Sequence, residues 1–263
     1  MVHGNPTWSF YFRSLVKAFS DEYRVIVPDH IGCGLSDKPD EQQYGFRLKD
    51  RVADLKTLMD RLDLKAPLTL ILHDWGGMIG LAWALDNMDK VGRIVIMNTA
   101  GFFPPAGKAL PLRLRLIRSG RGLLKHLVLH FNLFARAALY MAPHRPLPPE
   151  VKAGLIAPYN SPLSRLATFK FVLDIPLSAG DSSGPIVARV DRNLASICDR
   201  PTLLLWGAHD FVFDRDYYNQ WRRRLPLAET HWFDNAGHYL LEDVPEQIIL
   251  LIRRFLHNHP LQC

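Results

Sequence analysis

Leu68-Thr69-Leu70-Ile71-Leu72-His73-Asp74-Trp75-Gly76-Gly77, continued by Met78-Ile79-Gly80-Leu81-Ala82-Trp83-Ala84-Leu85, joins an apolar run to a helical one through a charged apex. The first five residues read as a buried strand and residues 78–85 as a helix. A sharp turn between them would lift one side chain above the sheet, the layout of a nucleophile elbow. The apex residue is Asp74, where a serine would make an esterase. A carboxylate is ionised at neutral pH, so it can attack carbon without a base to deprotonate it. The covalent product would be an ester of Asp74 itself, so that one residue sets the reaction class.

The elements on either side repeat a strand–helix alternation. Residues 8–19 read as a helix and residues 23–27 as a short β-branched strand. Residues 28–39 have the Gly, Pro and Asp density of a long loop. Leu48, Val52, Leu55, Leu58, Met59 and Leu62 recur at helical spacing over residues 47–62. Further strands are expected at 93–97, 201–206 and 229–233, and a closing helix buries Ile248, Ile249, Leu251, Ile252, Phe255 and Leu256. Such alternation implies an α/β fold, a mostly parallel sheet with helices on both faces.

Residues 101–196 interrupt the alternation with a helical, proline-rich segment, read as an inserted helical cap. The core is then residues 1–100 and 197–263. The chain of 263 residues carries a net charge of +6, but the excess is local. From 99 to 149 there is no Asp or Glu and there are eight Lys or Arg, leaving 24 basic against 26 acidic residues elsewhere. On one predicted helix Arg115, Arg118, Arg121 and Lys125 share an arc opposite Leu116, Ile117, Leu123, Leu124, Leu127, Val128 and Phe131. Gly120 and Gly122 each weaken that helix by roughly 1 kcal/mol relative to Ala. The basic face reads as a solvated surface or as one for peripheral contact with an anionic lipid surface or acidic partner.

Composition excludes several classes. With 48% apolar and 22% charged residues the chain is globular. No apolar run is long enough to span a bilayer, and the first residues lack a signal-peptide pattern. Three cysteines, Cys33, Cys198 and Cys263, form neither a disulfide framework nor a zinc site and point to a reducing, cytoplasmic compartment. No nucleotide or metal motif is present, so no cofactor, metal or nucleic-acid partner is expected.

Two further positions complete a catalytic constellation. Asp210 follows the strand at 201–206, and His238 follows the strand at 229–233. Open α/β sheets place ligands at such strand ends. The order Asp74, Asp210, His238 is that of α/β-hydrolases. In it His238 would activate a water while Asp210 holds the imidazole tautomer. Asn98 ends another strand but cannot ionise, and Asp214 and Asp234 read as a helix cap and a turn residue. The backbone N–H groups of Asn5 and Trp75 would form an oxyanion hole. Their side-chain amide and indole N–H add two anion donors. His3 and His73 read as structural, and Asp29 and His30 as loop anchors.

Residues 3–10 (His-Gly-Asn-Pro-Thr-Trp-Ser-Phe), 28–39, 73–77 (His-Asp-Trp-Gly-Gly), 206–210 (Trp-Gly-Ala-His-Asp) and Gly237-His238 resemble the haloalkane dehalogenase superfamily. The 29–38 loop looks most like the olefin-biosynthesis β-lactone (cis-3-alkyl-4-alkyloxetan-2-one) decarboxylases. The resemblance implies an α/β-hydrolase fold and conversion of a cis-3,4-dialkyl β-lactone to a cis-alkene and carbon dioxide. It implies Asp74 as nucleophile, His238 and Asp210 as its partners, and Asn5 and Trp75 as the anion-binding pair. Asp74 would attack either the ring carbon bearing oxygen or the carbonyl. Haloalkane dehalogenation or epoxide opening by the same residues is the alternative, with Tyr140, Tyr159, Tyr217 and Tyr218 as unassigned acid donors for an epoxide. A non-catalytic assembly subunit is a third reading. The expected partners are a hydrophobic small-molecule substrate and further copies or pathway enzymes. The family has about 40 residues before the His-Gly-Asn-Pro turn, so the N-terminal edge strands are expected to be missing, by a truncated gene model or as an unprotected sheet edge.

Overall fold

The computed structural model describes residues 1–64, 67–120, 122–197 and 199–261. Arg121, Cys198 and Cys263 therefore lie outside the described residues. A 3-10 turn at Ser9–Phe12 leads into α1 (Arg13–Phe19), and α2 (Leu48–Leu62) precedes β1 (Leu68–His73). Then come α3 (Trp75–Leu85) and β2 (Val91–Met97). A helical series follows: α4 (Leu112–Arg118), α5 (Gly122–Phe131), α6 (Leu133–Met141), α7 (Pro149–Ile156), α8 (Leu166–Leu173) and α9 (Gly184–Asn193). The chain closes with β3 (Thr202–Gly207), α10 (Arg215–Arg224), β4 (Glu229–Phe233), α11 (Leu240–Asp243) and α12 (Pro245–Asn258).

The four strands lie in sequence order and all pairs are parallel. Alternate strand residues face opposite layers, as the two-residue period of a strand demands. Leu70, Leu72, Ile94, Ile96, Leu204 and Trp206 pack with α2, α3, α9 and α10. Ile71, Val95, Met97, Leu203 and Leu205 pack with α1 and α12. A sheet buried on both faces explains why its strands read as continuous apolar runs.

The expected strand at 23–27 does not form. Met1 N–H donates to Ile26 O at 2.7 Å, but no ladder follows, and β-branched composition cannot make a strand without a paired neighbour. Val2 bridges the outer side of β1: its N–H donates to Ile71 O at 2.8 Å, and it accepts from His73 N–H at 3.2 Å.

The basic helix expected through Gly120 and Gly122 is two helices. Gly120 sits at φ +65°, a left-handed conformation that ends α4, and α5 restarts at Gly122. Leu114, Ile117 and Val128 turn inward with Phe169 and Val172 of α8 to form a small core of their own. Although α9 falls before residue 196, it packs against α3 and buries Val187 and Val190 in that layer. Among the described residues, no helix is long and apolar enough to cross a membrane.

Candidate active site

The parallel register brings the C-terminal ends of the strands level. His73 pairs with Met97, and Met97 with Leu205, so the next residues, Asp74 and Asn98, stand side by side at the sheet's edge. Asp74 N–H donates to Asn98 O at 3.2 Å. Asp74 has φ +50° and ψ −125°, the strained turn expected of an elbow, and α3 starts at the next residue. Two glycines make that turn possible. A Cβ on Gly4 would collide with the Asp74 carboxylate, and one on Gly76 with the Val2 carbonyl.

The Asp74 carboxylate is 8% exposed and lines a cavity together with Asn5, Trp75 and His238. Asn5 N–H donates to Asp74 Oδ2 at 2.6 Å, and Trp75 N–H also bonds this carboxylate. Those two backbone groups, expected as an oxyanion hole for substrate, bond the Asp74 carboxylate itself. The elbow's φ and ψ turn the carboxylate back over the Trp75 amide that follows it, and Asn5, 69 residues earlier in the chain, brings the second N–H. The side chains remain as donors: Asn5 Nδ2 is oriented by Thr168 O at 3.0 Å, and the Trp75 indole N–H bonds none of the described residues. Phe171 packs beside Trp75 at 5.1 Å between ring centroids.

Burial raises the pKa of Asp74 to about 6; the nearby His238 and the two N–H donors keep it from rising further. His238 Nδ1 meets Asp210 Oδ2 at 2.7 Å. Burial lowers the His238 pKa, but Asp210, and then Asp74, outweigh it, so the net shift is upward. Burial pushes Asp210 up, yet His238 and the N–H groups of Phe213 and Val212 bring it below the usual carboxylate range. The result is a fixed row of charge: ionised Asp210, proton-attracting His238, then Asp74.

Sequence reasoning missed the part Asn98 plays. Its Nδ2 donates to Asp210 Oδ2 at 2.6 Å, and its Oδ1 accepts from Gly207 N–H at 2.9 Å. An amide cannot be the acid, but it can bind one, and its position at a strand end was the available signal. Thr99, whose Oγ1 donates to Asp74 O, had no signal at all.

The remaining polar candidates are structural. His3 Nε2 accepts from His30 N–H at 3.0 Å, and Asp29 takes the N–H groups of Ser9 and Leu35. His73 Nε2 bonds His238 O at 2.9 Å, beneath the site. Asp214 caps α10, and Asp234 accepts from Trp232 Nε1 at 2.9 Å. Of the four tyrosines, Tyr217 alone lines the cavity, from α10; Tyr140 and Tyr159 of the helical series do not. Burial, with Asp214 and Asp210, raises the Tyr217 phenol well above its ordinary value, so it stays protonated. Among the described residues, no group of three or more His, Cys, Asp or Glu is placed to hold a metal ion.

The cavity measures about 380 Å³. Beyond the cluster at its floor its walls are almost wholly hydrocarbon, including Met78, Leu114, Ile117, Leu124, Phe134 and Val172. Such a site suits a long-chain apolar ligand with one small polar centre.

Residues 1–245 match the alpha/beta hydrolase fold family. The chain is 45% identical to the cis-3-alkyl-4-alkyloxetan-2-one decarboxylase of Shewanella oneidensis over 97% of this chain and 80% of that protein. It is 43% identical to the protein of the same name from Xanthomonas campestris pv. campestris, over 99% of this chain and 88% of that one. Haloalkane dehalogenase 2 of Mycobacterium tuberculosis is 29% identical over 97% of this chain and 86% of its own. Among solved structures, haloalkane dehalogenase DatA from Agrobacterium tumefaciens C58 superposes with a TM-score of 0.87 at 25% identity, covering 98% of this chain and 88% of that one.

Proposed function

This chain belongs to the alpha/beta hydrolase fold family, and we propose that within it the chain is a β-lactone decarboxylase, converting a cis-3,4-dialkyl β-lactone to a cis-alkene and carbon dioxide. The observation that carries the reading is the 45% identity to such a decarboxylase over nearly the whole chain, against 29% to a haloalkane dehalogenase. The hydrocarbon-walled cavity with one carboxylate at its floor fits a lactone bearing two alkyl arms.

In the proposed sequence the Asp74 carboxylate attacks, through one oxygen, the ring carbon that bears the ring oxygen. That C–O bond breaks, its electron pair stays on oxygen, and a carboxylate is released on the neighbouring carbon. The Asn5 amide and Trp75 indole hold this new anion. The bond to the carboxyl carbon then breaks, carbon dioxide leaves, and the pair forms the alkene while the aspartyl C–O bond returns its electrons to Asp74. Attack inverts one carbon and anti elimination follows, so the cis ring gives a cis-alkene. The two backbone N–H groups and His238 receive the returning Asp74 charge. Ring strain supplies driving force, so the protein's part is positioning and charge stabilisation.

The test uses purified protein with a cis-3,4-dialkyl β-lactone, a bromoalkane and an epoxide in parallel. One alkene and one carbon dioxide per lactone are expected, and Asp74→Ala should lower turnover by at least about a thousandfold, the scale at which loss of a nucleophile acts. Undiminished lactone turnover by that variant removes Asp74 from the mechanism. Bromide release with no alkene from the lactone favours the dehalogenase reading, which the fold of the structural neighbours supports. For epoxide opening, neither Tyr140 nor Tyr159 reaches the cavity wall, which leaves Tyr217 of α10, of the four tyrosines, as the acid donor that reading would need. A cytoplasmic location accords with the few cysteines.

A further inference from the structure

The cavity reaches the surface beside Leu116 of α4, Leu133 of α6 and Phe211, residues that both line it and stand exposed. Arg113 lines it too, and its Nη1 reaches Met141 Sδ at 3.1 Å, linking α4 to α6. The surface around this mouth runs against the ordinary pattern. Helices α4, α5 and α6 bury Leu114, Ile117, Val128, Ala135 and Leu139, yet their outward sides are also apolar. Six of the 13 large exposed hydrophobics among the described residues fall between Leu112 and Tyr140; Leu112 is 65% exposed and Leu123 71%. A cluster of this kind marks an interaction surface rather than scattered exposed side chains.

Charge identifies the partner. Toward the protein, this region's cations meet acids: Arg118 with Asp181 at 2.8 Å, Lys125 with Glu41 at 3.6 Å. Arg113, Arg115 and Arg136, exposed among the outward leucines, have no acidic partner among the described residues. The same stretch of sequence, 99–149, contains no Asp or Glu to repel an anion. Leucines and aromatics interleaved with unpaired arginines match the headgroup boundary of an anionic bilayer, where the side chains enter the acyl edge and the cations stay with phosphates. An acidic protein would use the charge but leave the leucines wet. A second copy would bring two cationic faces together.

We propose that the outer faces of α4, α5 and α6 dock on anionic phospholipid, with the cavity mouth against the bilayer. An apolar ligand can then pass between lipid and cavity without crossing water. This docking surface does not depend on which reaction the site performs.

The experiment is co-sedimentation of the full chain with vesicles of phosphatidylcholine alone or mixed with phosphatidylglycerol. We expect about tenfold more protein on the mixed vesicles at 0.1 M salt, and loss of that preference at 1 M, where the Debye length falls from about 10 Å to about 3 Å. Arg115→Gln with Arg136→Gln should abolish the preference for anionic lipid. Leu112→Ser with Leu123→Ser should reduce binding to both vesicle types. None of these four residues lines the cavity, so turnover of a short-chain, water-soluble β-lactone should be unchanged in both variants. Wild-type protein that pellets with neither vesicle, or variants that pellet like wild type, would overturn the proposal. So would a dimer in sedimentation velocity that the leucine substitutions dissociate, which would give the face to a second copy. Vesicle binding without lactone turnover would overturn the reaction assigned above and leave the docking surface standing.

Discussion

Asp74 is asked to be buried, ionised and in a left-handed conformation at once, and each demand opposes stability. Its pKa of about 6 against an ordinary 3.8 gives two expectations. A protonated carboxyl is no nucleophile, so kcat/KM for the lactone should fall about tenfold per unit as pH drops below about 6, measured on the free enzyme's pH profile. A flat profile down to pH 4 would show that Asp74 is not the titrating nucleophile. The stability effect has the opposite direction. A carboxyl with a raised folded pKa stabilises fully only below about pH 4, and that contribution is lost as pH rises through about 6. Asp74→Asn should therefore stabilise the protein by about 3 kcal/mol at pH 7 and above, from a shift of about two units. The gain should vanish by about pH 4. Thermal unfolding of both proteins across that range measures it. At the same scale, Arg51 was unreadable: it falls on the apolar stripe of α2, is 1% exposed, and lies 3.3 Å from the Phe171 ring centroid. No periodicity rule puts an arginine there.

At the scale of elements, the strands and helices that carry the site follow the sequence pattern closely, and the departures have local causes. Residues 23–27 have strand composition and no ladder, because pairing is a property of two segments. The basic helix divides at Gly120, because a helix pattern does not record the sign of φ. The two glycines, alike by propensity, should separate on substitution. Gly120→Ala should destabilise by about 1–2 kcal/mol, because a side chain at φ +65° is strained. Space is not the problem there: the nearest atom to the added Cβ would be Leu173 at 3.7 Å. Gly122→Ala meets nothing within 4 Å and should stabilise α5 by up to about 1 kcal/mol. Denaturant unfolding of the two variants measures the difference, and equal effects would mean that α4 and α5 are one helix in solution.

Across the whole molecule, the helical series is tied to the sheet layers through Asp174, just after α8. Its carboxylate accepts from Leu48 N–H at the start of α2 at 2.8 Å, from Arg47 Nη1 at 3.1 Å and from Ser183 Oγ at 2.6 Å. Asp174→Ala leaves buried donors unpaired and should cost about 1–3 kcal/mol. For a chain this long that lowers Tm by a few degrees, read by calorimetry. An unchanged Tm would mean that water replaces the carboxylate without loss. Nothing around Asp174 in the sequence marks it, since its partners lie 126 or 127 residues earlier and nine later. The fold class and the positions of Asp74, Asp210 and His238 were legible because strand period and strand ends are local properties, and a parallel sheet aligns those ends whatever lies between. Long-range pairing decided the rest: that Asn98 donates to Asp210, that Asn5 N–H holds the Asp74 carboxylate, and that the outward sides of α4, α5 and α6 are apolar. Which groups meet across a hundred residues depends on how the layers stack, and residue order does not contain that distance.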